Sequence, residues 1–465
     1  MVFTSSIFMF AFLPAFLLLY YLSPRFLKSL VLVGASFVFY GWWRPDFVLL
    51  MLFSSVLDYV LGKCIVRDRA RGAGKGRGWL VLSVVANLGL LAYFKYANFG
   101  IETFRAVMAA IGWPVSFEWT AIVLPVGISF YTFQTMSYVI DVYRNKVGLA
   151  SDFVSFLCYV TMFPQLVAGP IVRYSVVEQE LRERKHTWAT FYTGVLFLQS
   201  GFAKKVLLAD IVAPIANDAF GAGHLGVADA WLGAVAYSFQ IYFDFSGYSD
   251  IAVGLGLMLG FHFPFNFDAP YRSQSITEFW RRWHMSLSAW LRDYLYISLG
   301  GSRCGPIRTY FNLSVTMLLG GLWHGASWNF VAWGGWQGMW LVIERLIGKK
   351  PWYGAAPVLV RVLFTFVLVL FGWVLFRAAT LHDALHYMGQ MVGLGASTGS
   401  HVLEVGKLGW TALAIAAVLL CVAPTTQRLV ARAHPLWVLS LQPLFLLATL
   451  HLHYQHDVPF LYFQF

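Results

Sequence analysis

The strongest constraint on this chain is a repeated one. From end to end it carries apolar runs on the scale of the roughly 20 residues that cross a bilayer core, joined by short loops that hold the charge. Lipid offers backbone N–H and C=O groups no partners, so such runs must satisfy their own hydrogen bonds, which helices do. Spans are expected near 6–22, 29–43, 46–62, 79–96, 119–140, 189–209, 230–260, 357–377, 408–423 and 437–453, about ten in all. The 465 residues are 59% hydrophobic and only 12% charged, against roughly a quarter charged in a soluble domain. The expectation is an all-α polytopic membrane protein, a single integral-membrane domain over 1–465 without a sizeable soluble part.

The formal charge of +11 does not point to nucleic acid, because the basic residues sit in short loops between apolar runs, where they fix orientation. Loop 63–78, "KCIVRDRARGAGKGRG", is expected on the cytoplasmic side, with 143–146, 173–186, 345–350 and 427–434. Counting spans then puts both termini outside. The start, "MVFTSSIFMFAFLPAFLLLYYL", lacks the basic n-region and small-residue cleavage site of a signal peptide and is read as a retained first span. Cys64, Cys158, Cys304 and Cys421 are far apart, with neither disulfide nor zinc spacing, and no metal site is expected.

Two apolar stretches break the alternation of sides. Residues 152–171, with Pro164 and Pro170, and residues 311–345 both begin and end beside loops assigned to the cytoplasm. Both are read as re-entrant or buried hairpins, tolerated in lipid only when protein or a cavity surrounds them. The first arm of the second, "FNLSVTMLLGGL", is about 12 residues, roughly 18 Å of helix, shorter than a hydrocarbon core of about 30 Å. His324, in the turn "WHGAS", is therefore expected inside the membrane.

Residues 266–303 are too charged to span and too aromatic to float free. In "SITEFWRRW" Ser275 has the place of an N-cap and Glu278 follows at capping-box spacing, within reach of Arg281 or Arg282. Continued as one helix, this segment puts Arg281, His284, Ser288 and Leu291 on one face. An amphipathic helix on the cytoplasmic side is expected.

Three groups of residues can carry chemistry. His324 is either a packing histidine satisfied by one hydrogen bond or a general base, since ionisable groups inside a membrane mark functional sites. A buried imidazole stays neutral and can accept a proton, and Gly320, Gly321 and Gly325 would let a substrate chain come close. His284 is an interfacial histidine unless the fold brings it to His324. Asp244, Ser246, Ser249 and Asp250 in "YFDFSGYSD" form either an inter-helix hydrogen-bond network or the lining of a substrate cavity. Tyr462, in the terminal "DVPFLYFQF", is an aromatic anchor at the outer interface or an acyl acceptor. The histidines of "HLHYQHD" (451–457) are read as an interface cluster rather than metal ligands.

At these residues the sequence resembles the membrane-bound O-acyltransferase (MBOAT) superfamily, and within it the branch that O-acetylates alginate. The resemblance rests on "YFKYANFG", "LPVGISFYTFQTMSYVIDVYR", "FPQLVAGPI", "YFDFSGYSDIAVGLGLMLGF", "QSITEFWRRWHMSLSAWLRDYLYISLGGSR", "MLLGGLWHGA" and "PFLYFQF", and runs nearly the whole chain. It implies the MBOAT fold, helices around a central tunnel with the catalytic core over about 119–346, in a bacterial inner membrane, where the span count makes both termini periplasmic. It implies that His324 is the catalytic histidine. His284 takes the place of a second active-site residue that is often Asn or Asp, and so departs from the pattern. Tyr462 matches the tyrosine of a C-terminal motif thought to carry the acyl group in D-alanylation systems.

The resemblance implies no permanently bound cofactor, acetyl-CoA as co-substrate, and an extracytoplasmic SGNH-type acetyltransferase (AlgJ/AlgX-like) as partner, with a polysaccharide as indirect acceptor and no nucleic acid. Arg281, Arg282 and Arg292 are candidates to hold donor phosphates by charge-assisted bonds; Asp244, Ser246 and Trp323 are candidates to line the tunnel. Transfer of acetyl or D-alanyl groups to teichoic acid, peptidoglycan or cellulose is the nearest alternative. A transporter of the acyl donor is the non-enzymatic one, though the repeated halves usual in transporters are not evident.

Overall fold

The computed structural model describes residues 1–72, 74–348, 352–394, 401–454 and 460–461. Regular structure among them is helical, apart from one isolated bridge between Leu225 and His401. The chain divides into two compact units, Met1–Phe191 with Gly256–Phe263, and Tyr192–Leu255 with Pro264–Phe465.

The first unit holds α1 (Leu13–Leu22), α2 (Lys28–Gly41), α3 (Asp46–Ala70), α4 (Arg77–Leu91), α5 (Ala97–Ala110), α6 (Ile128–Tyr143), α7 (Phe153–Thr161), α8 (Phe163–Leu166) and α9 (Tyr174–Arg182). Buried Asp58 on α3 ties α3 to α4, accepting from Ser83 Oγ at 2.6 Å and Asn87 Nδ2 at 2.8 Å. The stretch expected as a span over 119–140 is helical only from Ile128. Pro125 precedes it, and Gly127 turns the chain at φ +77, where a Cβ would meet the Leu166 carbonyl at 2.6 Å. The apolar stretch 152–171 is broken into α7 and α8, each too short to cross a bilayer, and is buried nearly throughout.

The second unit holds α10 (Trp188–Lys204) from Tyr192 on, α11 (Asp210–Gly221), α12 (Val227–Met258) as far as Leu255, α13 (Ile276–Arg282), α14 (Met285–Trp290), α15 (Pro306–His324), α16 (Trp328–Leu346), α17 (Val358–Arg377), α18 (Leu381–Met391), α19 (Lys407–Val422), α20 (Thr426–Arg432) and α21 (Pro435–Tyr454). A π-helical turn, Lys205–Ala209, joins α10 to α11, and another, Leu291–Tyr296, follows α14.

Among the described residues four helices are long and apolar enough to cross a membrane: Asp46–Ala70, the continuous run Arg77–Ala110, Val358–Arg377 and Pro435–Leu452. The pair α19 and α20, bent by 72°, makes a fifth if it counts as one broken span. The other expected spans fall on helices that are shorter, such as α2 with 14 residues, or more polar, such as the 32-residue α12 with its aspartates.

The hairpin 311–345 differs from expectation. Its first arm, α15, has 19 residues rather than about 12, some 28 Å at 1.5 Å per residue. The added turn is "PIRTY": Pro306 opens the helix, a position where its missing N–H costs nothing. The length of this arm therefore no longer holds its tip at mid-depth. The glycines expected to admit a substrate serve the packing instead. Gly321 faces Gly334, where added Cβ atoms would strike Phe330 and Met317 backbone oxygens; the Phe330 ring fills the space beside Gly325; Leu291 lies against Gly320.

Candidate active site

His324 is the last residue of α15 and His284 stands just ahead of α14, and the fold brings the two together. Their ring centres are 6.3 Å apart. His284 is fully buried and His324 is 6% exposed. Around His324 stand Trp323, Trp333 and Phe376, with centroids at 5.0, 5.1 and 5.3 Å and rings steeply inclined to the imidazole. His284 packs edge-on against Phe245 of α12 at 4.7 Å, and Trp323 lies 6.1 Å away. Two imidazoles among indole and phenyl rings form a site of low polarity, in which each polar contact to a substrate is stronger than in water.

The route by which His284 arrives there corrects the sequence reading. The helix that should carry it past Trp283 stops at Arg282; His284 adopts φ 44, ψ 54, the left-handed region, and the chain restarts as α14. Arg281, His284, Ser288 and Leu291 thus do not share one helix face. A bulky residue in that region is uncommon and is held by its surroundings. Asn266 does the holding: its carbonyl accepts the Met285 N–H at 3.0 Å, and its side-chain oxygen accepts the Ser286 N–H at 3.2 Å and the Ser286 hydroxyl at 2.7 Å. This break lies outside the spanning helices, and burial pushes the His284 imidazole down to about 3, so the ring is neutral.

The start of α13 behaves as expected in part. Ser275 Oγ accepts the Glu278 N–H at 3.0 Å, and Glu278 pairs with Arg282 at 2.7 Å. Glu278 closes the cap on the N–H of Gln274, not on that of Ser275. The larger support is Glu344 of α16, whose buried carboxylate accepts the N–H groups of Ile276 and Thr277 at 2.6 and 2.8 Å. Because α16 is the second arm of the His324 hairpin, Glu344 links the elements that carry the two histidines.

Of the arginines, Arg281 is exposed, Arg282 is engaged by Glu278, and Arg292 pairs with Asp293 at 2.7 Å. Asp244 is buried in ion contact with Lys205, which also holds Asp210, each at 2.6 Å. Asp250 is bound by Lys204 and Thr426, each at 2.7 Å. Both aspartates thus make inter-helix contacts. Ser246 lines a narrow cleft with Lys204, Tyr242 and Asp250. Tyr462 and 455–457 of the terminal histidine segment lie outside the described residues; the adjoining Phe460 and Leu461 are buried against α12. Sequence reasoning missed Asn266, Glu344 and Lys205. The last two were detectable as charges inside "GMWLVIERL" and "GFAKKVLLA"; nothing local marked Asn266.

Residues 148–376, which hold both histidines, match the MBOAT, membrane-bound O-acyltransferase family. Together with the similarities below this places the chain in that family: it is a polytopic, membrane-embedded O-acyltransferase. It is 50% identical, over 90% of its own length and 83% of the relative's, to the "Probable alginate O-acetylase AlgI" of Azotobacter vinelandii. It is 34% identical to the "Peptidoglycan O-acetyltransferase" of Helicobacter pylori, over 86% of this chain and 82% of that one. With the "Teichoic acid D-alanyltransferase" of Bacillus subtilis it shares 27% identity, over 75% of this chain and 93% of the other.

Proposed function

We propose that this chain transfers acetyl groups from a cytoplasmic thioester, acetyl-CoA, across the bacterial inner membrane for O-acetylation of an exopolysaccharide, alginate. The similarity to alginate O-acetylases over nine-tenths of the chain supports the acceptor, and the distribution of lysine and arginine supports periplasmic termini. The reading is carried by one observation, the buried pair His284 and His324 with ring centres 6.3 Å apart.

In this reading His324 is the general base. It takes the proton of an acceptor hydroxyl as that oxygen attacks the thioester carbonyl; the C–S bond breaks and the thiolate leaves to be protonated. A neutral His284 beside the reacting carbonyl orients it or donates to the oxygen that gains charge. General-base assistance supplies about 10²- to 10⁴-fold, and positioning in a dry site supplies much of the rest. Arg281, Arg282 and Arg292 are the donor-phosphate candidates, of which Arg282 and Arg292 must exchange a carboxylate partner for phosphate. The acetyl group passes to Tyr462 or to a serine of an SGNH-type partner enzyme outside the membrane, and then to the polymer.

The test is acetyl release from acetyl-CoA by purified protein in detergent, with and without a hydroxyl acceptor. Turnover that rises with acceptor and disappears in His324→Ala is expected. Equal turnover in that variant overturns the reading, and D-alanyl thioester used in preference to acetyl-CoA reassigns the cargo.

A further inference from the structure

Phe460 and Leu461 are 1% and 5% exposed. The Phe460 ring stacks on Tyr248 of α12 at 4.4 Å and lies 5.9 Å from Phe245. Phe245 is the ring packed on His284, so one phenyl group stands between this terminal segment and the histidine pair. The segment makes one directional polar contact there: the Leu461 N–H donates to Asp244 Oδ2 at 3.0 Å.

That acceptor is unusual. Asp244 Oδ1 contacts Lys205 Nζ at 2.6 Å, and the same ammonium contacts Asp210 at 2.6 Å, all three side chains at most 5% exposed. Two carboxylates share one ammonium. The ammonium offsets part of the cost of burying Asp244, and the second carboxyl oxygen, turned away from the lysine, accepts the backbone donor. The π-helical turn Lys205–Ala209 begins at the lysine and ends beside Asp210; such bulges in a helix frequently occur at functional sites.

We infer that Asp244, held by Lys205, is a positioning residue for transfer: it clamps the backbone of the C-terminal segment at Leu461 and so sets where the next residue's side chain is delivered. That residue is Tyr462, joined to Leu461 by one peptide bond, so the inference rests on the reading of Tyr462 as acyl acceptor. In this reading the aspartate works at a distance from donor and acetyl group. It acts through the main chain of the segment that bears the hydroxyl.

The experiment uses the full chain in detergent with acetyl-CoA and reads three quantities: acetyl transfer to the C-terminal peptide by mass spectrometry, amide hydrogen exchange of that peptide, and the thermal midpoint. Asp244→Val removes the acceptor but leaves Lys205 and Asp210 as a one-to-one pair; Asp244→Asn keeps an oxygen able to accept. Asp244→Val should expose the C-terminal amides and lower transfer on the order of 10²-fold, the scale of a small misplacement. Asp244→Asn should stay within about tenfold of the parent. Leu461→Pro approaches the same bond from the other side without touching the buried charges. It should match Asp244→Val, whereas Leu461→Ala, which keeps the N–H, should not.

Unchanged terminal exchange in Asp244→Val, full transfer in Leu461→Pro, or equal damage from Asp244→Asn and Asp244→Val with a lowered midpoint in both overturns the inference. Tyr462→Phe separates the two readings. If it transfers acetyl as well as the parent, the relay fails, while exchange in Asp244→Val still reports whether Asp244 holds the segment.

Discussion

Glu344 accepts the backbone N–H of Ile276 at 2.6 Å, across 68 residues of sequence. With Thr277 as a second donor and Tyr353 as a third partner, this carboxylate anchors the first turn of α13 to α16. Replacing it by alanine leaves buried donors without an acceptor, at about 1–3 kcal/mol each. Glu344→Ala should therefore lower the thermal midpoint and reduce acetyl transfer together, and Glu344→Gln, with one accepting oxygen, should fall between. Unfolding in detergent and turnover of acetyl-CoA measure both.

His324→Ala should separate the two properties. Loss of a general base costs about 10²- to 10⁴-fold in rate, while loss of a buried ring, 6% exposed, lowers the midpoint through the cavity it leaves. Transfer near background in protein that is still folded at the assay temperature is expected. A large fall in the midpoint with residual transfer in proportion would make His324 a packing residue.

The neutral His284 carries a pH signature. Its imidazole is held down to about 3 by burial, whereas an unfolded histidine titrates near about 6.5. Between those values the unfolded chain binds one more proton than the folded one, so stability rises with pH through this window and the effect is absent above it. The slope from this group is at most ~1.4 kcal/mol per pH unit. His284→Asn should flatten the acid limb of thermal midpoint against pH between about 4 and 6.5; an unchanged limb would assign the acid sensitivity to other groups.

The hairpin is held by backbone closeness that a single methyl disturbs. A Cβ on Gly334 would lie 2.5 Å from the Met317 carbonyl oxygen and 3.0 Å from Leu318 Cα. Gly334→Ala should destabilise by about 1–3 kcal/mol, the usual cost of overpacking, and shift His324 with the arm that carries it. Gly335→Ala, whose added Cβ meets only the end of the Leu318 side chain at 3.8 Å, is the control. The comparison is made on thermal midpoint and transfer rate.

Much of this was legible beforehand because it is set locally. The length and polarity of the runs dictate helices in lipid. Ser275 announces the start of α13, and an isolated His324 among apolar neighbours announces itself. The misreadings also have local causes. Pro306 and Arg308 look like a loop, yet proline at the first helical position starts a helix, so α15 gained a turn and a half. Nothing in "RRWHMS" shows a helix end, since the bend at His284 is imposed by Asn266, eighteen positions earlier in the chain.

By itself, then, the sequence determined that this chain is a membrane-embedded bundle of helices with histidines at His284 and His324, because hydropathy and helix periodicity act over a few turns at a time. Only the tertiary structure decided that the two rings meet, that Lys205 joins Asp244 to Asp210, and that Leu461 docks on that cluster. Apart from the Lys205–Asp210 contact, those join residues far apart in sequence, and they depend on how helices pack, which no single stretch of residues encodes.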